Sequence, residues 1–444
     1  MLPRPPLPPA PYLVVGLARS GVAVARALRG RGAVVAGCDA GAVVGERRAE
    51  LEAAGVAVHA GTLGLELLPE AGSVIKSPGV PAEAPLVVAA REAGVPVIGE
   101  LEVGWRLVPN EFIAVTGSNG KTTTVELIGH LHRAAGLAAE VAGNVGRALS
   151  TLAGAALPET ATIVCEASSF QLEDTERFAP EAGVLLNLAE DHLDRHGSFD
   201  AYRAAKLEVF ARQPPGSVAV APEGLAADGL PGEAERVWFG TGPRARLVAR
   251  EDALWWDGER LMGVEEIRLR GPHNRLNAMA AAAVTLARGM TPAAVREGLA
   301  SFAGVAHRLE EIATLGGVLF VNDSKATNVA SAVAGLESFA GGVHVILGGR
   351  GKGGVYPPLA VPVAERARAA YLIGETAAEL AAALADTGVP LHQTGDLERA
   401  LAAARAAARP GEVVLLSPAC ASFDQYADYE ARGEHFRALV EGAE

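Results

Sequence analysis

Short apolar runs that stop at Gly, Ser or Asp alternate with Ala/Leu/Arg stretches of helical period through most of this 444-residue chain. "YLVVG", "AVVAGCD", "SVIKSPG" and "PVIGE" punctuate residues 12–100, and "EFIAVTG", "TIVCEAS", "GVLLNL" and "SVAVAP" punctuate 111–222. "VLFVNDS", "VHVILGG", "AAYLIG" and "EVVLLSP" do the same over 318–418. Such alternation predicts βαβ units and parallel sheets. Residues 235–270 break the rhythm: apolar and polar positions alternate, interrupted by "TGPR" and "WDGE", which predicts antiparallel hairpins. "PHNRLNAMAAAAVTLARG" and "TPAAVREGLASF" then read as helices, the second with Thr291 as N-cap and Pro292 at the first helical position. Boundaries near 108 and 307 give three expected domains, 1–108, 109–307 and 308–444.

Composition narrows the function classes. Half of the residues are hydrophobic (50%) and 20% are charged, as a globular chain with large cores requires. A formal charge of −13 argues against a general binder of nucleic acid or membrane surface. It leaves small anions open, because a Gly-rich loop or helix N-terminus binds phosphate locally. Cys38, Cys165 and Cys420 are far apart and form no CxxC pair, which speaks against a disulfide framework or structural zinc and suits the reducing cytoplasm. The proline-rich start "MLPRPPLPPAPYLVVG" has no continuous apolar core and does not read as a signal peptide. No apolar run is long enough for a membrane span, and a monomer is expected.

The strongest local signal is "FIAVTGSNGKTTTVELIGHLHRAAG": a strand pattern, a Gly-rich turn, then an amphipathic helix. Gly117 and Gly120 let backbone N–H groups turn toward a phosphate, Lys121 can reach terminal phosphates, and the Thr122 hydroxyl can ligate Mg²⁺. Val115 stands where the strict GxxxxGK[ST] pattern has its first Gly. An ordinary βα turn is the competing reading. "YLVVGLARSGVAVARAL" carries G-x-A-x-x-G, with Ala18 at the second Gly position and Asp39 closing the next strand. By itself this loop is equally compatible with a dinucleotide oxidoreductase. The fold expectation is α/β: a Rossmann-like N-terminal domain, a central P-loop ATPase-type domain whose mostly parallel sheet is accompanied by a small antiparallel one, and a Rossmann-like C-terminal domain.

"VTGSNGKTTT" resembles the ATP loop of the Mur ligase family, the amide-forming ligases that build the peptidoglycan stem peptide. "CEASSFQLE", "NLAEDHLDRH", "YRAAKLEVF", "GPHNRLNA", "AHRLE", "VNDSKATN", "LGGRGKGG" and "LSPACASFDQYADYEARGEHF" follow in the family's order and cover nearly the whole chain. The resemblance implies ATP-driven amide formation through an acyl phosphate. "NDSKATN" and "SPACASFDQ" imply UDP-N-acetylmuramoyl-L-alanine and D-glutamate as the substrates, and no "DNPR" motif of the diaminopimelate- or lysine-adding relative is present. ATP contacts are implied for Gly117, Ser118, Asn119, Gly120, Lys121, Thr122, Thr123, Asn274, Asn277, Arg308 and Asp323. Arg308, at the expected junction of the second and third domains, could couple closure to ATP binding. The sugar nucleotide is implied at Arg19, Ser20, Asp39, Ser77, Asn144 and His192. After Asp39 the sequence reads "DAGAVVGE" where the family often has Thr-Arg, which leaves the uracil contacts there open. D-Glutamate is implied at Lys325, Thr327, Lys352, Ser422 and the Phe423 backbone.

Two Mg²⁺ sites are implied, held by Thr122, Glu166, His192 and Lys206. Alone, Glu166 reads as a surface carboxylate after a strand and His192 as a structural hydrogen-bonder. Lys121, Asn144, Glu166, His192 and Lys206 are the implied catalytic set. Lys206 stands out because only five of the 39 cationic residues are lysine: Lys76, Lys121, Lys206, Lys325 and Lys352. A buried lysine near other cations favours the neutral amine, which can add CO₂ to become a metal-binding carbamate, whereas arginine stays charged. The lysine of the corresponding family motif is carbamylated in most members. No carboxylate lies four residues from Lys206, since Tyr202 and Phe210 occupy those positions. Other readings remain open at this point: a folylpolyglutamate synthase-type ligase, an NAD(P)-dependent oxidoreductase, or a nucleotide-binding regulator.

Overall fold

The structure is a computed structural model that describes residues 3–43, 45–225, 229–269, 271–351 and 355–442. The chain forms two compact units, Met1–Ile267 with Leu276–Phe302, and Arg268–Arg275 with Ala303–Glu444. The first unit holds two sheets and the second unit one.

The first sheet comprises Tyr12–Val15 (β1), Val35–Asp39 (β2), Ala57–Ala60 (β3), Ser73–Lys76 (β4) and Val97–Gly99 (β5), in the order β3-β2-β1-β4-β5. All its pairings are parallel. The inner strands β1 and β4 are buried at every residue, as near-continuous apolar runs require, while the edge strand β3 is not.

The second sheet comprises Glu111–Thr116 (β6), Ala139–Gly143 (β7), Thr162–Glu166 (β8), Ala182–Leu185 (β9), Val218–Pro222 (β10), Glu235–Gly240 (β11), Leu247–Arg250 (β12), Ala253–Trp256 (β13) and Glu259–Gly263 (β14). Its order is β14-β13-β12-β11-β10-β9-β6-β8-β7. The expected antiparallel part is present as β12, β13 and β14, joined to the edge of the parallel strands. β11 differs from the hairpin expectation: it pairs parallel with both β10 and β12. The segment after Gly240 is no two-residue turn, so it returns the chain alongside β11 in the same direction. Central strand β6 lies between β8 and β9, with Val115 opposite Glu166 and Thr116 opposite Leu185. That register brings the turn after β6, the tip of β8 and the segment after β9 to one sheet edge, where α/β proteins bind ligands.

The third sheet comprises Glu310–Leu315 (β15), Val318–Asn322 (β16), Val343–Gly348 (β17), Ala367–Ile373 (β18), Leu391–Gly395 (β19) and Val413–Leu416 (β20), in the order β15-β16-β20-β17-β18-β19. Only β15 runs antiparallel to its neighbour. Asn322 and Ile346 both align with Leu416, so the loops after β16, β17 and β20 leave from the same edge. Among the described residues no helix is long and apolar enough to cross a membrane.

Candidate active site

The turn after β6 has the shape of a phosphate cradle. Gly117 and Gly120 have φ of 146° and 86°, and the helix Lys121–Ala134 starts directly after them. Glycine is required twice over at 120: besides the left-handed backbone, a Cβ there would lie 2.2 Å from Asn277 Oδ1. The Lys121 ammonium lies back over the turn, donating to the carbonyls of Gly117 (2.8 Å) and Ser118 (2.9 Å).

Beneath the turn runs a chain of hydrogen-bond donors and acceptors. The Thr122 hydroxyl donates to Glu166 Oε2 at 2.9 Å, and Asn144 Nδ2 donates to Glu166 Oε1 at 3.1 Å. The Asn144 backbone N–H also donates to the Glu166 carbonyl at 2.9 Å. Glu166 is buried at the tip of β8. The structure therefore brings Thr122, Asn144 and Glu166 together. The set consists of hard oxygens, which suits Mg²⁺ rather than a soft metal. Among the described residues, no group of three or more His, Cys, Asp or Glu side chains gathers as a metal cluster.

Lys206 comes to this place from the helix Phe199–Ala211. It is almost fully buried, donates to the Gly117 carbonyl at 2.8 Å, and stands 4.5 Å from the centre of the Tyr202 ring. Burial, aided by the nearby Lys121 charge and opposed by Asp191 and Glu166, pulls its pKa from 10.5 to about 7. His192 is placed differently. It has φ 51°, is half-exposed, faces Asp191 at 3.5 Å and packs on the Phe170 ring at 4.8 Å.

Two residues not singled out from the sequence brace the turn. Asn187 Oδ1 accepts from the Asn119 N–H at 2.9 Å, and its Nδ2 donates to the Asn119 carbonyl at 3.0 Å. The Tyr202 hydroxyl meets the Ser118 hydroxyl at 2.8 Å, and Ser118 Oγ also bonds both the N–H (2.9 Å) and the carbonyl (3.0 Å) of Ala189. The available signal was position: Asn187 lies just past a strand tip, and Tyr202 lies one helical turn before Lys206.

In the first sheet, Gly16 has φ 84°, and a Cβ on Gly21 would lie 1.9 Å from the Gly16 carbonyl oxygen. Asp39 accepts from the Leu17 N–H at 2.7 Å and the Gly41 N–H at 2.8 Å, so its carboxylate shapes the loop directly. The Ser77 hydroxyl donates to the Gly16 carbonyl at 2.6 Å. Arg19 and Ser20 open the helix Arg19–Gly30, and Arg19 donates to the Asn144 carbonyl at 3.2 Å.

In the second unit, Asp323 is buried and accepts from the Ser417 hydroxyl (2.7 Å) and the Leu309 N–H (3.2 Å). Burial pushes its pKa up to about 7 against the pull of Ser417 and Arg308. Asn274 also belongs to this unit. The Lys325 ammonium stands 5.3 Å from the centre of the Tyr429 ring, and the Thr327 N–H donates to the Lys325 carbonyl at 2.8 Å. Ser422 is buried and Phe423 exposed, midway along the loop between β20 and the helix Tyr429–Glu441. Lys352 lies outside the described residues. Arg432, unremarked in the sequence, bonds Ser324 Oγ (3.0 Å), the Ser324 carbonyl (2.8 Å) and the Cys420 carbonyl (3.2 Å), and so ties the "DSK" and "PACAS" loops together.

A glycine turn, a helix N-terminus, a lysine and a buried Thr–Glu pair define a phosphate-loop nucleotide protein of the α/β class. Family comparison makes the assignment specific. The Mur ligase middle domain matches residues 115–285, the Mur ligase glutamate ligase domain 307–420, and the Mur ligase MurD-like N-terminal domain 10–99. The chain belongs to the Mur ligase family. It is 41% identical to the UDP-N-acetylmuramoylalanine–D-glutamate ligase of Acidobacterium capsulatum, over 96% of this chain and 95% of that protein. Identity to the ligase of the same name from Symbiobacterium thermophilum is 40%, over 96% and 97%. Solved structures share the fold. The UDP-N-acetylmuramate-alanine ligase of Thermotoga maritima aligns with a TM-score of 0.62 at 20% identity, over 98% of this chain and 99% of that one. The MurF ligase of Thermotoga maritima, solved with ADP, aligns with a TM-score of 0.60 at 17% identity, over 93% and 96%.

Proposed function

We propose that the chain is an ATP-dependent ligase that joins D-glutamate to UDP-N-acetylmuramoyl-L-alanine in the assembly of peptidoglycan precursors. The observation that carries this reading is the phosphate turn with Thr122, Glu166, Asn144 and Lys206 gathered beneath it, in a chain about 40% identical to ligases of that name along nearly its whole length. Residues 1–108 hold the sugar nucleotide, 109–307 hold ATP, and 308–444 hold the amino acid. Catalysis takes place in the cytoplasm.

In the first step an oxygen of the L-alanyl carboxylate bonds to the γ-phosphorus of ATP, and the bond to ADP breaks. In the second step the amine of D-glutamate attacks the acyl-phosphate carbon, phosphate leaves with its electron pair, and the nitrogen loses a proton. Phosphoryl transfer of this kind depends on charge neutralisation and alignment. The amides of 117–121 and the dipole of the following helix hold the phosphates, and Lys121 leaves its own turn carbonyls to meet the terminal ones. Asn144 orients the substrate carboxylate. Thr122, Glu166, His192 and Lys206 would hold Mg²⁺, which when bound neutralises the phosphate oxygens.

Lys206 acts as a carbamate. Its neutral amine adds to CO₂, an N–C bond forms, and one proton is released. The lowered pKa and the buried position supply the neutral amine this step needs. In the second unit, Lys325, Thr327, Ser422, the Phe423 backbone and Lys352 receive the two carboxylates of D-glutamate, and Arg308, Asp323 and Asn274 meet the nucleotide. ADP release that requires both UDP-N-acetylmuramoyl-L-alanine and D-glutamate, and that L-glutamate does not support, is the expected result. Turnover with L-glutamate or a folate rejects the assignment.

A further inference from the structure

Lys76 is the one lysine that the proposed chemistry does not use. It ends β4, directly before Ser77, and its side chain is fully buried. The ammonium pairs with Asp174 at 2.5 Å and Glu173 at 3.7 Å, nearly a hundred residues along the chain, at the end of the short helix Ser169–Leu172. Glu173 is shared: it also meets Arg195 at 2.5 Å and His196 at 3.7 Å. Arg195 then reaches back and donates to the Val80 carbonyl at 3.1 Å. At the next strand, the Gly99 N–H donates to the Asp174 carbonyl at 2.9 Å, and a Cβ on Gly99 would lie 2.9 Å from the Asp174 Cβ.

The turn 76–80 is thus gripped at both ends, by a buried ion pair at Lys76 and by a guanidinium at Val80. This same turn shapes the Gly16 loop. Ser77 holds the Gly16 carbonyl and the Val15 carbonyl, and a Cβ on Gly16 would lie 2.7 Å from the Val80 side chain. A buried ion pair gains little net stability over an apolar pair of similar volume, so its use here is better sought in geometry.

We propose that Lys76 is a positioning residue for the sugar-nucleotide loop. With Glu173, Asp174 and Arg195 it fixes the 76–80 turn, and through Ser77 and Val80 the turn fixes Gly16–Ser20. This rests on the substrate assignment made above.

The test uses two variants of the full chain. Lys76→Met alone leaves Asp174 buried without its cation and can fail to fold for that reason. Lys76→Met/Asp174→Asn removes both charges. Calorimetry then gives the Kd of ADP and of UDP-N-acetylmuramoyl-L-alanine, and hydrogen exchange reports on the amides of 77–80 and 16–20. In the double variant the expected result is unchanged ADP affinity, sugar-nucleotide affinity weaker by about tenfold, KM for that substrate raised with kcat held, and faster exchange in both segments. A double variant that binds the sugar nucleotide as the wild type does, with unchanged exchange, overturns the proposal. So does an equal loss of affinity for both ligands, which signals general destabilisation. Wild-type chain that fails to bind the sugar nucleotide overturns the substrate assignment and this inference with it, whereas failure of the positioning role alone leaves wild-type binding intact.

Discussion

The Gly16–Gly21 loop and the Gly117–Thr122 loop have the same backbone plan. Each follows a buried parallel strand, turns on a glycine with positive φ, and runs into a helix N-terminus. Their side chains differ. The first loop is braced by Asp39, which takes the Leu17 N–H, and by Ser77, which donates to the Gly16 carbonyl, and it contains no lysine. The second carries Lys121 and Thr122, and the buried Glu166 and Lys206 stand against it. Backbone geometry supplies a general anion cradle in both. On the function proposed above, side chains make the difference: the first loop would hold a ligand, while the second would also neutralise charge that develops in a transferring phosphoryl group.

That contrast can be broken most forcefully at Lys206. Lys206→Ala is expected to lower turnover about a thousandfold, a loss typical of removing preorganised charge stabilisation. Added formate or acetate restores part of it, and ADP-release kinetics measure both effects. Full activity in this variant removes the carbamate role. Gly120→Ala comes next: with φ of 86° and Asn277 Oδ1 2.2 Å from the new Cβ, the turn must deform. ADP affinity is expected to fall by roughly a hundredfold, or about 2.7 kcal/mol, with sugar-nucleotide affinity unchanged in the same calorimeter. Asp39→Ala removes the charge-assisted bond to the Leu17 N–H of the first loop and the one to Gly41 beside it, and the expected outcome is a KM for the sugar nucleotide raised about tenfold with kcat nearly constant. A comparable fall in kcat would erase the distinction between a holding loop and an activating one.

The smallest effect lies in stability. Asp323 is protonated in the folded chain up to about pH 7 but only up to 3.8 when unfolded. Between those values the folded state binds the extra proton, so stability falls as pH rises through the window and is flat above it. Asp323→Asn is expected to flatten this part of the profile, measured as Tm against pH. As the free amine, before CO₂ is added, Lys206 has the opposite slope. Its folded pKa of about 7 lies below the unfolded 10.5, so the unfolded chain binds more protons between them and stability rises with pH there.

Legibility in the sequence followed burial. The strands anticipated from apolar runs, among them β1, β4, β6, β8, β9, β17 and β20, are almost entirely buried. β3, β7, β15 and β19 had no such signal, and all four are edge strands. An edge strand is half-solvated, so its residues need not be apolar and its pattern weakens. The site followed a similar rule. Thr122 and Lys121 were readable because a glycine turn and a helix start fix them locally, whereas Glu166 by itself read as a surface carboxylate after a strand, and the fold buries it against Thr122. Asn187, Tyr202 and Arg432 were not, because each gains its meaning from a partner far away in the chain: Asn119, Ser118 and Ser324.

The sequence by itself determined the alternation of strands and helices, the two glycine turns and the unusual scarcity of lysine, since these depend on local pattern and composition. Only the tertiary structure decided where the scarce lysines go. It seated Lys206 under the phosphate turn and Lys76 against Asp174. The reason is physical: a charge is removed from water, and its pKa or its partner thereby chosen, only when distant segments close around it, and no stretch of a few residues encodes that enclosure.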